Sequence, residues 1–379
     1  MRFFIKKIVM PESMNDHDII NIRSYEDGDE DGIARLMQQN FPNTLDASCI
    51  RQTWRWQFKN DFSKDGSIAV AEVNSSIVAH YAVMCFEMNY QDQTIIGSVS
   101  TATVTEKSFR GKGLFTKLAR NVYNDLSRSG CKIVFGFPNS QSIRGFITRL
   151  DWFNVCPFPL HIKFIKTKPM LSKILGDHVF TKALAWCGDN ALKLIFNIIS
   201  RKKNNHDIII RRVEEIPEDM KSIWSSSFAS HKLAIIRNRR YLEWRYLEKP
   251  FVKYKIYCAM MNDSPAGYFV TCTGCKYNSN ILFVMEIVAK DDKKVIYKKM
   301  LDHLDVIARE ECADAVSILI MSNNPRYWLF VKKGYLPVPR ILFPQDINFS
   351  AMVNSHLMDK SYVKNSDNWY ISWGDLDVV

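Results

Sequence analysis

The sequence predicts an α/β protein made of two tandem copies of one unit, joined by a helical insert. Strand and helix patterns alternate along residues 1–160, and the same order of patterns returns in residues 206–379. Residues 161–205, between the two copies, read as helical. Each unit is expected to be a central mixed, mostly antiparallel twisted sheet flanked by helices.

The elements of the first unit follow from the spacing of its apolar residues. Residues 19–41 read as a short strand, an acidic turn and a one-faced helix, and a second helical piece follows. Alternating and β-branched residues then predict three meandering strands over 67–73, 76–88 and 93–105. An amphipathic helix from Leu114 ends before Gly130, and a buried strand and a short helix complete the unit.

The second unit repeats this order. The segment RRYLEWRYLEKP (239–250) echoes RQTWRWQF (51–58), and paired strands follow each of them. Residues 315–335, with a strand, an Asn turn and a short helix, match residues 132–152 element for element. Repetition of one pattern within a chain indicates two copies of one structural unit.

Composition bounds the class of protein. The chain has 379 residues, 47% of them hydrophobic, and a formal net charge of +11, which favours an anionic partner. Nine cysteines, an odd number scattered mostly in apolar runs, suit reduced thiols in a cytoplasmic protein. Lys6 and Lys7 interrupt the apolar N-terminus, and Asp189 and Lys193 interrupt the longest later apolar run, so neither a secretory signal nor a membrane span is expected.

The insert has two interpretations. Its basic ends and apolar periodicity favour a linker helix pair that packs on both units. The alternative is an amphipathic segment that makes peripheral contact with an anionic membrane, with basic side chains near the headgroups at Lys166, Lys168, Arg201, Lys202 and Lys203.

The segment FRGKGLF (109–115) lies between a strand and the longest amphipathic helix of the first unit. A helix N-terminus binds phosphate when the backbone can approach the ligand closely. Gly111 and Gly113 permit that approach, and Arg110 and Lys112 add positive charge. The spacing is neither that of Walker A nor that of the Rossmann fingerprint.

This loop, its position and the later FGFPN and FITRLDW segments resemble the GNAT superfamily of N-acetyltransferases. The resemblance implies a loop that holds the pyrophosphate of acetyl-CoA, formed by Arg110, Gly111, Lys112, Gly113, Leu114 and Phe115. It further implies that the strand backbone at Ala102, Thr103 and Val104 bonds the pantetheine arm, in a splay between two strands. Asn139, just past the second of these strands, is either a cofactor contact or a turn residue.

Two positions depart from the pattern of that family. Phe115 stands where the family keeps a small residue. Ile147 stands where the family usually has a tyrosine that can protonate the departing thiolate, so no general acid is assigned.

Acetyl transfer to an amine needs a deprotonated nitrogen, so a general base is useful. The candidates are Glu87, Glu106 and Glu286, each with the alternative of a solvated or ion-paired carboxylate. The terminal carboxylate of Val379 is a further candidate, because tandem GNAT enzymes such as protein N-myristoyltransferase place this group near the reacting amine.

The second unit reads AKDDKK (289–294) where the first has its glycine turn. Two aspartates would repel a pyrophosphate, so one cofactor per chain is expected, in the first unit. The second unit then shapes the acceptor pocket, with four aromatic residues as candidate walls or core residues: Trp244, Tyr246, Tyr327 and Trp328.

The expected function is acetyl-CoA-dependent N-acetylation of a primary amine, such as an amino sugar or another small amine, without a metal. One alternative is a non-catalytic acyl-CoA-binding sensor or scaffold, which the absent tyrosine favours. Another is a relative of peptide-bridge aminoacyl transferases, against which the glycine turn counts. Nucleic acid is not an expected partner, because the basic residues form no continuous stripe.

Overall fold

Two mixed sheets, each flanked by helices, organise the chain. The computed structural model describes residues 19–41, 46–60, 62, 66–166, 208–276, 279–339 and 347–376. The predicted helical insert falls almost entirely outside these ranges. No helix within them is long and apolar enough to cross a lipid bilayer.

The first unit follows the predicted order of elements as far as its last predicted helix. Two strands that were not predicted come after that helix, and the second of them, Leu160–Phe164, lies where the helical insert was expected to begin. Its strands are β1 (Asn21–Ser24), β2 (Ile68–Val73), β3 (Ser76–Tyr90), β4 (Gln93–Thr105), β5 (Ile133–Gly136), β6 (Phe153–Pro157) and β7 (Leu160–Phe164). Its helices are α1 (Asp29–Asn40), α2 (Ala47–Phe58), α3 (Leu114–Arg128) and α4 (Ile143–Arg149).

The second unit repeats that order. Its strands are β8 (Ile208–Val213), β9 (Ala234–Ile235), β10 (Lys255–Met261), β11 (Ser264–Lys276), β12 (Ser279–Ala289), β13 (Ala315–Leu319), β14 (Leu336–Pro337) and β15 (Asn348–Val353). Its helices are α5 (Met220–Ser225), α6 (Arg239–Tyr246), α7 (Lys294–Glu310), α8 (Tyr327–Lys332) and α9 (Lys360–Lys364). The structure therefore confirms the predicted class, two α/β units in tandem.

The sheets have matching strand orders. The first sheet runs β1-β2-β3-β4-β5-β15-β6, with β9 added to β3, and the second runs β14-β7-β13-β12-β11-β10-β8. In each sheet one internal pair is parallel, β4 with β5 and β12 with β13, and the other pairs are antiparallel. The two sheets are thus the same arrangement used twice.

Each sheet contains a strand from the other half of the chain. By sequence position β15 belongs to the second unit, yet it lies between β5 and β6 of the first sheet. Conversely, β7 leaves the first unit and pairs with β13 and β14. The membership of the two sheets therefore does not follow the boundaries of the two units in the sequence, because β7 and β15 each pair with strands of the other half.

Apolar side chains fill three layers. One cluster packs α3 against the outer face of the first sheet, a second packs α7 against the second sheet, and the largest lies between the two sheets. Both faces of each sheet are therefore covered, which explains the continuous apolar runs of the central strands. The central layer joins the units into one core.

Candidate functional site

The predicted phosphate loop connects β4 to α3. A 3₁₀ turn at Lys107–Phe109 follows β4, and the loop then reaches the N-terminus of α3 through Gly111 and Gly113. Both glycines are left-handed, with φ of +82° and +78°, and an added Cβ would meet nothing within 4 Å at either position. The backbone conformation is what requires glycine there, and the space beside the loop is open to a ligand.

Arg110 braces the loop. Its Nε donates to the carbonyl of Thr105 at 3.2 Å, and one terminal nitrogen donates to Asn40 Oδ1 at 3.0 Å. The guanidinium thus ties the loop to the end of β4 and to α1. Lys112 Nζ lies 5.2 Å from the ring centre of Phe109.

An open cavity of ≈ 530 Å³ lies at the mouth of α3, between this helix and the end of α4. Its lining holds three cationic side chains and one acidic one, together with a glycine and two threonines: Gly113, Thr116, Lys117, Arg120, Thr148, Arg149 and Asp151. Thr116 Oγ1 is buried with no hydrogen-bond partner among the described residues. Positive charge, exposed helix N–H groups and an unpaired hydroxyl together suit a phosphorylated ligand.

Most of the lining of this cavity was missed in the sequence. Gly113, Lys117 and Arg120 are spaced by four and three residues, so they share one face of a helix. That spacing is a readable signal. Thr148 and Arg149 reach the cavity only through the packing of α4 against α3, which the sequence does not reveal.

The pairing of β3 with β4 is interrupted by a β-bulge at the predicted pantetheine segment. His80 pairs with Val104 and Ala82 with Thr101, so two residues of β4 oppose Tyr81 alone. Ala102, in the bulge, has φ of +52°. Thr103 Oγ1, also in the bulge, is buried without a partner among the described residues.

β4 and β5 separate just before this bulge. Their last paired residues are Ser100 and Gly136, and β5 ends there while β4 continues to Thr105. Beyond this point β4 pairs only with β3 within the described residues, which leaves an opening between β4 and β5. This opening agrees with the expected splay.

A buried histidine fixes the bulge from behind. His80 Nδ1 lies 2.7 Å from the carbonyl oxygen of Ala102, and Trp54 Nε1 donates to His80 Nε2 at 3.3 Å. Because an indole N–H only donates, His80 Nε2 accepts and Nδ1 carries the proton given to Ala102. Burial lowers the pKa of His80 to about 4, so the ring is neutral at physiological pH.

The two departures from the family pattern have different outcomes. Phe115 leans against α4 beside Gly145, where a Cβ would lie 3.0 Å from its ring. It also packs on Phe146, at 4.9 Å between ring centres. A glycine on α4 thus accommodates the larger side chain. Ile147 is partly exposed on α4 and brings no hydroxyl to the opening.

Asn139 makes the contacts of a turn residue. Its Oδ1 accepts hydrogen bonds from the backbone N–H of Gln141 at 3.0 Å and of Ser142 at 3.1 Å. The hydroxyl of Ser142 lies 3.2 Å from the same atom. These bonds hold the turn that leads into α4.

The three candidate carboxylates lie in different environments. Glu87 is exposed on β3, and Glu106 is half-buried and accepts from Ser108 Oγ at 2.7 Å. Glu286 is buried in β12, and burial raises its pKa. Val379 lies outside the described residues.

Glu286 belongs to a buried polar cluster. Its Oε1 accepts from Arg237 Nε at 3.1 Å, Tyr246 OH at 3.1 Å and Ser372 Oγ at 3.0 Å. Its Oε2 accepts from Tyr370 OH at 3.2 Å. A carboxylate with four donors and no exposed atom has little capacity to take a proton from a substrate, so these contacts favour a structural role.

The four aromatic residues predicted as pocket walls lie in different parts of the structure. Trp244 and Tyr246 are buried in the central core, and Tyr327 lies at the start of α8, its ring 5.4 Å from that of His161. Trp328 is 70% exposed. The predicted pocket wall is therefore not formed by these four residues together.

In the second unit, the loop that corresponds to the glycine turn makes a hydrogen bond within the protein. A 3₁₀ turn at Lys290–Asp292 leads almost directly from β12 into α7. Asp292 Oδ2 accepts from the N–H of Phe228 at 2.6 Å. With no glycine and with a carboxylate in place, this loop differs from the glycine turn of the first unit, and one cofactor per chain stays a prediction.

Comparisons with known proteins agree with this geometry. The sequence profile described as acetyltransferase (GNAT) domain matches residues 21–153. No curated protein matches the chain.

Solved structures share the fold at low sequence identity. A GCN5-related N-acetyltransferase from Anabaena variabilis has a TM-score of 0.61 and 10% identity, over 89% of this chain and 73% of that one. Saccharomyces cerevisiae N-myristoyltransferase with bound myristoyl-CoA has a TM-score of 0.58 and 14% identity, over 95% of this chain and 85% of that one. A tandem GNAT protein from the clavulanic acid biosynthesis pathway has a TM-score of 0.53 and 8% identity, over 89% of this chain and 99% of that one.

Proposed function

We propose that this chain, in which residues 21–153 match an acetyltransferase (GNAT) domain profile and whose fold resembles that of a tandem GNAT protein, is an acyltransferase that transfers an acetyl group from acetyl-CoA to a primary amine. The observation that carries the proposal is the cationic cavity at the mouth of α3, bordered by a left-handed glycine. The second unit, without such a loop, lies on the acceptor side.

The residues around the cavity fit a CoA thioester. Gly111 and Gly113 let the backbone approach a pyrophosphate, and Lys117, Arg120 and Arg149 add charge around it. From there the opening between β4 and β5 leads to the bulge at Ala102. Thr116, in the cavity lining, and Thr103, in the bulge, each have a buried hydroxyl with no hydrogen-bond partner among the described residues.

The small size of the cavity between the two units favours a short acyl group. The cavity between the two units, lined by Trp56, Phe86, Trp244 and Asp375 among others, has a volume of ≈ 20 Å³. That is room for about one water molecule. A long acyl chain would have to displace the aromatic core, whereas an acetyl group stays near the strand.

The chain contributes mainly positioning and polar stabilisation. A thioester and an amine held in contact react far faster than free in solution, and the rigid bulge can hold one of them. Removal of a proton from the ammonium form of the acceptor falls to Glu87 or Glu106, since the donors around Glu286 saturate it. An amino sugar or another small amine is the proposed acceptor class.

One experiment tests the proposal. Calorimetric titration with acetyl-CoA should show one site per chain, and free thiol should be released when a panel of amino sugars and small amines is added. A chain that binds acetyl-CoA but turns over no amine would instead be the sensor, which the missing hydroxyl at Ile147 favours. No binding of any acyl-CoA would contradict the proposal entirely.

A further inference from the structure

A chain of hydrogen-bonded hydroxyls runs under the first sheet to the opening between β4 and β5. Trp152 Nε1 donates to Tyr123 OH at 2.9 Å, Tyr123 OH lies 2.7 Å from Tyr81 OH, and Tyr81 OH lies 2.9 Å from Ser100 Oγ. Trp152, Tyr81 and Tyr123 are all buried. Ser100 is only half-buried.

The direction of this chain follows from Trp152. An indole N–H only donates, so Tyr123 accepts from it and has one proton of its own to give. Among the described residues the Tyr123 hydroxyl has no other partner, so its proton goes to Tyr81, and the proton of Tyr81 goes to Ser100. The reverse direction would leave a buried O–H without an acceptor, which costs free energy.

Ser100 therefore has a spare proton. Its Oγ accepts from Tyr81 and makes no other hydrogen bond among the described residues. Ser100 is also the last residue of β4 that pairs with β5, opposite Gly136. Its hydroxyl thus stands at the vertex of the opening, on the face of the sheet that carries α3.

We propose that Ser100 is a catalytic residue that donates a hydrogen bond to the sulfur of the acyl-CoA as it becomes a thiolate. Tyr81 and Tyr123 are positioning residues that aim and polarise its hydroxyl. This inference rests on the proposed function, and it supplies a donor at the leaving group where Ile147 provides none.

The step balances without a proton from the chain. The ammonium form of the acceptor first gives one proton to the general base. The neutral amine nitrogen then bonds to the carbonyl carbon, the C–S bond breaks with its electron pair on sulfur, and a second N–H proton goes to solvent. Burial raises the pKa of Tyr81 and of Tyr123, so both phenols keep their protons. Ser100 likewise donates a hydrogen bond and stays protonated, as oxyanion-hole donors do.

The test compares binding of CoA with binding of desulfo-CoA, which lacks the sulfur, so no acceptor is needed. At pH 9.5, where a thiol is ionised, the wild-type protein should prefer CoA by roughly tenfold or more, as expected for a hydrogen bond to a charged group. The preference should shrink at pH 6. Ser100→Ala should remove it, and Ser100→Thr should retain it.

Ser98→Ala is the matched control, because Ser98 is buried on the same strand two residues earlier and donates to the Ile133 carbonyl at 3.4 Å. This variant should keep the full preference. If wild type binds CoA and desulfo-CoA equally, or if Ser100→Ala keeps the preference, the inference is wrong while the proposed function stands. If wild type binds neither ligand, both are overturned.

Discussion

Trp56 and Trp244 stack face to face, 4.7 Å between ring centres, and each indole N–H donates to the backbone carbonyl of the other residue, at 3.0 and 3.1 Å. They occupy equivalent positions in the repeated helices α2 and α6. An exchange of identical contacts is the mark of a two-fold axis. This pair therefore lies on the pseudo-two-fold axis that relates the two units.

We expect Trp56→Phe and Trp244→Phe each to lower the free energy of unfolding by about 1–3 kcal/mol, because each removes a buried hydrogen bond and part of the ring stack. Trp244→Phe should cost less than Trp56→Phe, since Asn60 Nδ2 still donates to the carbonyl of Trp56. Denaturant titration measures the loss. The double variant should show a coupling of about 0.5–3 kcal/mol, since the residues touch. Trp328→Phe, at a 70% exposed indole, is the control and should change little. Additive single effects would mean that the two indoles act independently.

The phosphate loop is tested by a valine scan of left-handed glycines. Gly113→Val should weaken acetyl-CoA binding at least tenfold, since the branched side chain strains a backbone at φ +78° and fills the approach to the loop. Gly130→Val is the matched control, because Gly130 has φ +81° and nothing within 4 Å of an added Cβ, at the other end of α3. Both variants should lose about 1–2 kcal/mol of stability. Equal affinity in the two would remove the loop from the cofactor site.

The cationic cavity should make binding depend on salt. Arg120→Gln and Arg149→Gln should each weaken acetyl-CoA binding by about two- to fivefold at low ionic strength, as expected for exposed charges. The loss should fade in 0.5–1 M salt, where such charges are screened within a few ångström. Arg128→Gln, on the last turn of α3, should leave affinity unchanged at any salt concentration. A loss independent of salt would point to altered packing instead.

The buried His80 should make stability depend on pH. Its pKa falls from 6.5 in the unfolded chain to about 4 in the folded one, so the unfolded state binds the proton first as the pH falls. The stability that the neutral ring contributes is complete above pH 6.5 and is lost as the pH drops toward 4, at about 1.4 kcal/mol per pH unit.

Denaturant titrations at pH 7 and pH 5 measure this loss, about 2 kcal/mol from a single site. His80→Gln should lose correspondingly less over the same interval, because Gln does not titrate while the carboxylates contribute equally in both proteins. Parallel pH profiles of the two proteins would show that His80 is not the group responsible.

Local patterns in the sequence predicted most of this fold, and long-range pairing explains the rest. The apolar run of 76–88 is a strong strand signal because β3 is buried on both faces, and the β-branched residues of 93–105 indicate β4. By contrast, β15 has only six residues. It pairs with β5, and the paired residues Ser350 and Gly136 are more than two hundred residues apart in the sequence. No local pattern encodes such a pairing, so the exchange of β7 and β15 was not predictable.

The site divides in the same way. The glycine turn was readable because its conformation is local, whereas the charge around it depends on α4 reaching α3. Glu286 carried an unused signal: it lies in the apolar run FVMEIV, a setting typical of a buried, paired carboxylate. Ser100 gave none, since the chain of hydroxyls behind it joins residues of β3, α3 and the segment before β6.

The exchange of β7 and β15 also bears on how such a chain can evolve. Cutting it after β6 would take β15 out of the middle of the first sheet and expose the backbone groups of β5 and β6 that pair with it. The first unit could therefore not lose the second without losing a central strand of its own sheet. Whatever the chemistry of the second unit, its last strand is a structural part of the first.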